Sequence, residues 1–267
     1  MESILLATYQ RDITRHYELA QARGAGLELQ VYGYDTDLLD SGWRKVLDQH
    51  KALLKDFEGE IAIHGAFLDM SPASADQRVV ALTRERFLLN LDIAAELGAR
   101  NVVFHTQFLP QVYRPVIAGG GPDYRINWTR GQVEFWRGMV EEAASRELVI
   151  ALENMWEPDP SIIGDVLDQV DSPYISACLD VGHVYLFSDY LPLKTWVDQI
   201  GHRLVHCHLN NHRGSYDEHL ALDLPGGVID YDRDVLPLLR ALPNTPTLVL
   251  EMDEIEYLES SLTYLGR

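Results

Sequence analysis

The run at 175–219, ISACLDVGHVYLFSDYLPLKTWVDQIGHRLVHCHLNNHRGSYDEH, reads as one β-α-β unit with a polar loop behind it. Ile175–Asp180 is a near-continuous apolar strand. An amphipathic helix follows at about Leu193–Ile200, and Leu204–Leu209 is a second strand. Apolar strands joined through a helix belong to a parallel sheet covered on both faces. The same run carries Asp180, His183, His208, Asp217 and His219. These are metal-ligand side chains in two close pairs, D-x-x-H and D-x-H, with His208 between them.

The alternation extends in both directions. Strands are expected at Ile4–Thr8, Gly26–Tyr32, Ile61–His64, Asn101–His105, Val149–Glu153 and Thr247–Glu251. Helices are expected at about Asp12–Arg23, Gly42–Phe57, Asp76–Leu97, Thr129–Arg146, Ser161–Val170, Tyr231–Leu242 and Ile255–Tyr264. Gly24, Gly59 and Gly98 close the first three, and Asp230 is placed to cap the seventh. Eight strands alternating with eight helices in 267 residues predict an α/β fold, a single (β/α)8 TIM barrel spanning 1–267. An open doubly wound sheet is disfavoured, since no G-x-G-x-x-G follows the first strand. Residues 106–127, with GGGP near the centre, are too long for a simple connection and read as a lid.

Composition narrows the function. The chain is 46% apolar and 24% charged, which is ordinary for a folded protein. It has no run of eighteen apolar residues, so no membrane span is expected. The start, MESILLATYQRD, lacks a basic segment followed by a long apolar one, so a cytoplasmic protein is expected. Cys178 and Cys207 sit in apolar strands and read as buried thiols. A net charge of −19 without a Lys/Arg stripe attracts cations and disfavours a nucleic-acid partner.

Strands three to six end at His64, His105, Glu153 and Asp180; strand seven carries His208, and strand eight ends at Glu251. In a TIM barrel the C-terminal strand ends converge on one mouth, where active sites are built. So many acids and histidines there would repel or strand one another without a cation among them. Loop residues His183, Asp217 and His219 join the same mouth. A His/Asp/Glu set without thiolate suits Zn2+, Mn2+, Co2+ or Mg2+, and the surplus of ligands admits one to three ions. Tyr9, Tyr32, Phe67 and Trp156 lie near strand ends, where they would stack on a sugar or cyclic polyol. Glu28 and Gln30 alternate on strand two, so one of them can face the mouth. His206 lies one layer below His208. His212 falls in the loop after strand seven. His16, His50 and His202 fall on helices or their ends and are expected at the surface.

HGAFLDMSP at 64–72, LEN at 152–154, CLDVGH at 178–183, HCHLNN at 206–211, DEHL at 217–220 and LE at 250–251 together resemble the xylose isomerase-like TIM-barrel superfamily. It includes sugar isomerases and epimerases and endonuclease IV-type AP endonucleases. The resemblance implies a metal held by Glu153, Asp180, His208 and Glu251, as in ketose epimerases. It also implies that Glu153 and Glu251 move protons to and from opposite faces of a small keto-polyol. His183 and Arg213 would contact that substrate, with Trp156, Phe67 and Tyr9 beside it. A homo-oligomer is left open.

The endonuclease branch reads the same residues as a three-zinc site. His64, His105, His183, Asp217 and His219 would be the additional ligands, and Phe67 and Leu68 would be DNA-inserting side chains. Asn211 stands where that branch has Asp, and Asp223-Leu-Pro-Gly-Gly replaces its Gly-x-Gly. Those departures and the acidic charge favour the isomerase/epimerase reading.

Overall fold

In a computed structural model, eight parallel strands close in sequence order, with β8 pairing to β1. The structure describes residues 2–109, 122–188 and 191–267. The strands are β1 (Ile4–Thr8), β2 (Gly26–Leu29), β3 (Ile61–His64), β4 (Asn101–His105), β5 (Val149–Glu153), β6 (Ile175–Asp180), β7 (Leu204–Leu209) and β8 (Thr247–Leu250). The TIM barrel expected from the alternation is therefore the fold.

Helices wrap the outside: α1 (Thr14–Arg23), α2 (Val31–Tyr34), α3 (Thr36–Asp40), α4 (Trp43–Leu53), α5 (Gln77–Leu97), α6 (Pro122–Ser145), α7 (Ser161–Val170), α8 (Val181–Phe187), α9 (Leu193–Ile200), α10 (Leu236–Arg240) and α11 (Ile255–Tyr264). The caps follow from composition. Asp76 accepts the Arg78 N–H at the start of α5, and Gly98 ends it in the left-handed region at φ 68°. Asp230 accepts the Arg233 N–H, capping a π-helical turn at Tyr231–Val235 that leads into α10. Among the described residues no helix is long and apolar enough to cross a membrane.

Period-two alternation sorts each strand. Leu27, Leu29, Ile63, Val102, Phe104, Ile150, Leu152 and Leu179 face outward into the layer between sheet and helices. Leu5, Ala7, Ala62 and Val249 fill one side of the barrel interior; Val103, Ala151 and Cys178 fill the other. Register then levels the inward polar residues. His105 pairs with Glu153, and Asp180 with His208. Side chains distant in sequence thus reach one height at the C-terminal end.

Several expectations need correction. β2 ends at Leu29, because Gln30 turns the chain into α2. Tyr32 consequently points away from the mouth, donating its hydroxyl to His50 Nδ1 at 2.8 Å. Residues 122–127, expected within the lid loop, are the first turns of α6. Residues 106–109 are irregular chain after β4, and the remaining residues of the expected lid, 110–121, lie outside the described residues. His16 and His50 are buried, at 8% and 2% exposure. His50 shares the inner face of α4 with Val46 and Leu47 and donates from Nε2 to Arg11 O at 2.9 Å. The surface expectation fails because helix position alone does not say which face is covered.

Burial holds the His50 pKa below its usual value. As pH falls through about 6.5 the unfolded chain takes up a proton that folded His50 resists, so this group destabilises the fold in acid. His50→Gln should cost about 1–2 kcal/mol at pH 7.5 through lost buried hydrogen bonds. Its Tm deficit against the parent should shrink by pH 5.5; a deficit independent of pH would count against neutral His50.

Candidate metal centre

Glu153, at the end of β5, is the hub. Its Oε2 lies 3.1 Å from His64 Nε2 and 3.1 Å from His105 Nε2; its Oε1 lies 3.0 Å from His208 Nδ1. His208 Nδ1 is also 3.3 Å from Glu251 Oε2 and 4.0 Å from Asp180 Oδ2. Glu153, Asp180, His208 and Glu251 therefore converge with one ligand atom each, all within 4.8 Å of one another. His64, Glu153 and His208 form a second such group, His183, Asp217 and His219 a third, and Glu28, His206 and His208 a fourth. In the third, Asp217 Oδ2 sits 3.1 Å from His183 Nε2 and 2.9 Å from His219 Nε2.

Asp180 has two local duties. Its Oδ1 caps α8 by accepting the His183 N–H at 2.6 Å, and its Oδ2 accepts from Asn210 Nδ2 at 3.0 Å. The glycine of the D-V-G-H motif is needed there, since a Cβ at Gly182 would lie 2.1 Å from Asn210 Oδ1. The His183 ring is oriented by the Asn154 carbonyl, 2.8 Å from Nδ1. This histidine belongs to a short helix that the sequence pattern does not announce.

The electrostatics describe a site whose charges are paired by protons. Burial would raise the Glu153 carboxyl, but His208 and His105 outweigh it and hold it well below the carboxylate range. Burial likewise opposes the shift of Glu251, which His208 and His219 pull down. Asp180 goes the other way, raised to about 8 by burial and, beyond the opposing His183, by neighbouring acids. Burial disfavours the His219 cation, yet Glu251 and Asp217 raise it to about 9. Two carboxylate oxygens, Glu251 Oε2 and Asp217 Oδ1, are buried without a hydrogen-bond partner. Orphaned carboxylate oxygens in a His/Asp/Glu cluster fit a divalent cation.

Glu153, Glu251, His64, His105, His183, Asp217 and His219 line the floor of a cavity of about 860 Å3, with Asp180 and His208 fully buried behind them. Tyr9, Phe67 and Trp156 line it, with Tyr34, Leu68, Leu109 and Met155. Tyr34 reaches it from α2, a stretch that the sequence pattern reads as the end of the second strand and the connection after it. Arg213 is not on that wall. It is 53% exposed and pairs with Glu218 at 2.6 Å, because that carboxylate also accepts the Arg213 backbone N–H. His212 is buried against Gly182 O and the Gly214 N–H, also off the cavity wall.

A sequence model of the xylose isomerase-like TIM barrel matches residues 18–266. The chain belongs to this family. Of its relatives, the uncharacterised protein MJ1311 of Methanocaldococcus jannaschii is 26% identical over 174 residues. That match covers 62% of this chain and 56% of MJ1311, so it spans little more than half of the relative's length. The TTHB071 protein of Thermus thermophilus, solved after a ZnCl2 soak, is 28% identical with a TM-score of 0.79, over 99% of this chain and 96% of its own. A D-tagatose 3-epimerase-like protein superposes at TM-score 0.78 and 21% identity, over 100% of this chain and 96% of its own. The E. coli 3-keto-D-glucoside 4-epimerase YcjR does so at 0.74 and 14%, over 100% and 98%. At those two identities the likeness concerns the fold.

Within this xylose isomerase-like barrel, Glu28 and Gln30 stand out as site residues that the sequence leaves undecided. Both face inward. Gln30 lines the cavity, while Glu28 lies beneath it against His206 and His208.

Proposed function

We propose that this protein is a metal-dependent sugar or sugar-like isomerase or epimerase that moves a proton beside a carbonyl. The observation carrying the reading is the composition of the mouth. Its described lining contains the acids Glu153 and Glu251, reaching His208 Nδ1 from strands β5 and β8, and no Lys or Arg. A neutral keto-polyol needs acids and hydrogen-bond partners; a polyanion would be met by Asp69, Asp217 and Asp253 as well.

Glu153, Asp180, His208 and Glu251 would hold the ion. When bound, it would polarise the substrate carbonyl. Glu153, held ionised by its histidines, is unprotonated and free to accept the proton on the adjacent carbon. Its removal leaves an enediolate; Glu251, after taking up a proton from solvent, would deliver it to the opposite face, and Glu153 would release the abstracted proton to solvent to reset the site. Tyr9, Phe67 and Trp156 would cover the ring and exclude water. The sugar-epimerase names among the fold's neighbours agree with this reading.

One observation favours a second reading. Three ligand groups share or adjoin Glu153, which suits a multinuclear zinc phosphodiesterase of the endonuclease IV type. Metal analysis of the purified protein separates the two. One Mn2+, Co2+ or Mg2+ per chain is expected; three tightly bound Zn2+ would sink the epimerase reading.

A further inference from the structure

Glu28 is fully buried on β2, inside the barrel and below the mouth. Its neighbours in register are Ala7 on β1 and Ala62 on β3, whose small side chains leave room for the carboxylate. A lone buried carboxylate there would be costly. This one is fully engaged. Its Oε2 lies 2.6 Å from His206 Nε2, and its Oε1 lies 3.1 Å from His208 Nε2. Gln30 Nε2 donates to the same Oε1 at 2.8 Å.

The Gln30 amide also donates to Glu251 Oε1 at 2.8 Å. Glu251 is thus hydrogen-bonded through one oxygen, and its other oxygen, Oε2, is buried without a hydrogen bond, 3.3 Å from His208 Nδ1. On the far side of the same network, His208 presents Nδ1 to Glu153 and Glu251. A histidine that ligates through Nδ1 must carry its proton on Nε2, and an acceptor at Nε2 fixes that tautomer.

We propose that Glu28 and Gln30 are positioning residues for the metal centre, a role that rests on the metal-site reading above. Glu28 accepts the Nε2–H of His208 and so keeps Nδ1 as the bare nitrogen facing the ligand cluster. Gln30 ties Glu251 through Oε1, leaving Oε2 for the ion or the substrate. The second strand, which adds no ligand to the Glu153–Asp180–His208–Glu251 group, therefore sets the donor atoms of two residues that belong to it. Both N–H bonds of the Gln30 amide are used, one to Glu28 and one to Glu251, which couples the ligand histidine to the proton-transferring acid.

The test uses full-length protein with histidine labelled in 15N, loaded with Zn2+ alone. Long-range 1H–15N spectra of the parent should show one metal-bound imidazole with a bare Nδ1 and a protonated Nε2. Glu28→Gln can offer an N–H to His208 Nε2 and reverse the tautomer. Its Zn2+ affinity should fall about 10–100-fold. Glu28→Asp, which keeps an acceptor, should lose less. Gln30→Met, near-isosteric and uncharged, should leave the tautomer intact, while Co2+ absorption shifts because the Glu251 oxygens are freed. If Glu28→Gln does not fold, the Gln30→Met spectrum decides. A parent that binds no metal refutes the metal-site reading. A parent that binds through Nε2, or a Glu28→Gln protein of parental affinity and tautomer, refutes only the positioning role, as does a Gln30→Met protein with an unchanged Co2+ spectrum.

Discussion

Glu153→Gln is expected to abolish proton exchange while leaving the barrel folded. The substitution keeps the shape of the side chain and removes its charge. Three imidazole nitrogens sit within 3.1 Å of that carboxylate, on His64, His105 and His208. Without the charge the base is gone, and so is the anion around which the histidines assemble. Loss of a positioned general base costs about 10^2–10^4-fold in rate. Loss of a ligand adds to it, so the combined effect should exceed either. The readout is solvent deuterium entering the substrate carbon, followed by NMR across a panel of ketoses in D2O with the parent as positive control. Undiminished exchange in the variant would refute the proton-transfer role of Glu153. Breaking a buried charge pair destabilises by about 3–5 kcal/mol, so circular dichroism must accompany the assay.

Removing divalent metal should have the second large effect, and its pH dependence is the telling part. The ligand groups are proton-paired: Asp180 is raised to about 8 and His219 to about 9. A metal must displace those protons, so affinity should rise with pH through about 8–9. At a free metal concentration about 100-fold above Kd, binding adds about 2.7 kcal/mol to the folded state. For a chain of this size that is about 5–10 °C in Tm. Chelated protein should regain this shift on adding Mn2+, Co2+ or Zn2+, with a smaller shift at pH 6 than at pH 8.5. A shift that is absent, or the same at both, would count against a proton-linked metal centre.

The unequal legibility of the molecule has physical causes. Strand ends are readable because an apolar run terminated by His or Glu carries its own boundary, as at Ile61–His64 and Val149–Glu153. α7, α9 and α11 are readable for the same reason, each bounded by polar or turn residues around an apolar face. β2 is not. Glu28 and, just past the strand's end, Gln30 break the apolar run without a turn signal, and α2 follows with no cap motif. α8 escapes notice because Asp180 serves as both site residue and helix cap, and seven residues give little periodicity to read. Arg213 looks like a mouth residue from its loop; a local pairing with Glu218 turns it away.

The barrel, the order of its strands and the acids and histidines at their ends are legible in the residues alone. The reason is that alternation and strand length are local properties, and a closed parallel sheet has one way to satisfy eight such units. Closure of the barrel settles which nitrogen of His208 faces the ligands, which oxygen of Glu251 is left without a hydrogen bond, and that Glu28 and Gln30 link the two. Those depend on contacts between β2, β7 and β8, where the chain separation is 178 residues for Glu28 and His206 and 221 for Gln30 and Glu251. Side-chain direction across a barrel is fixed by register and closure, which no local pattern encodes.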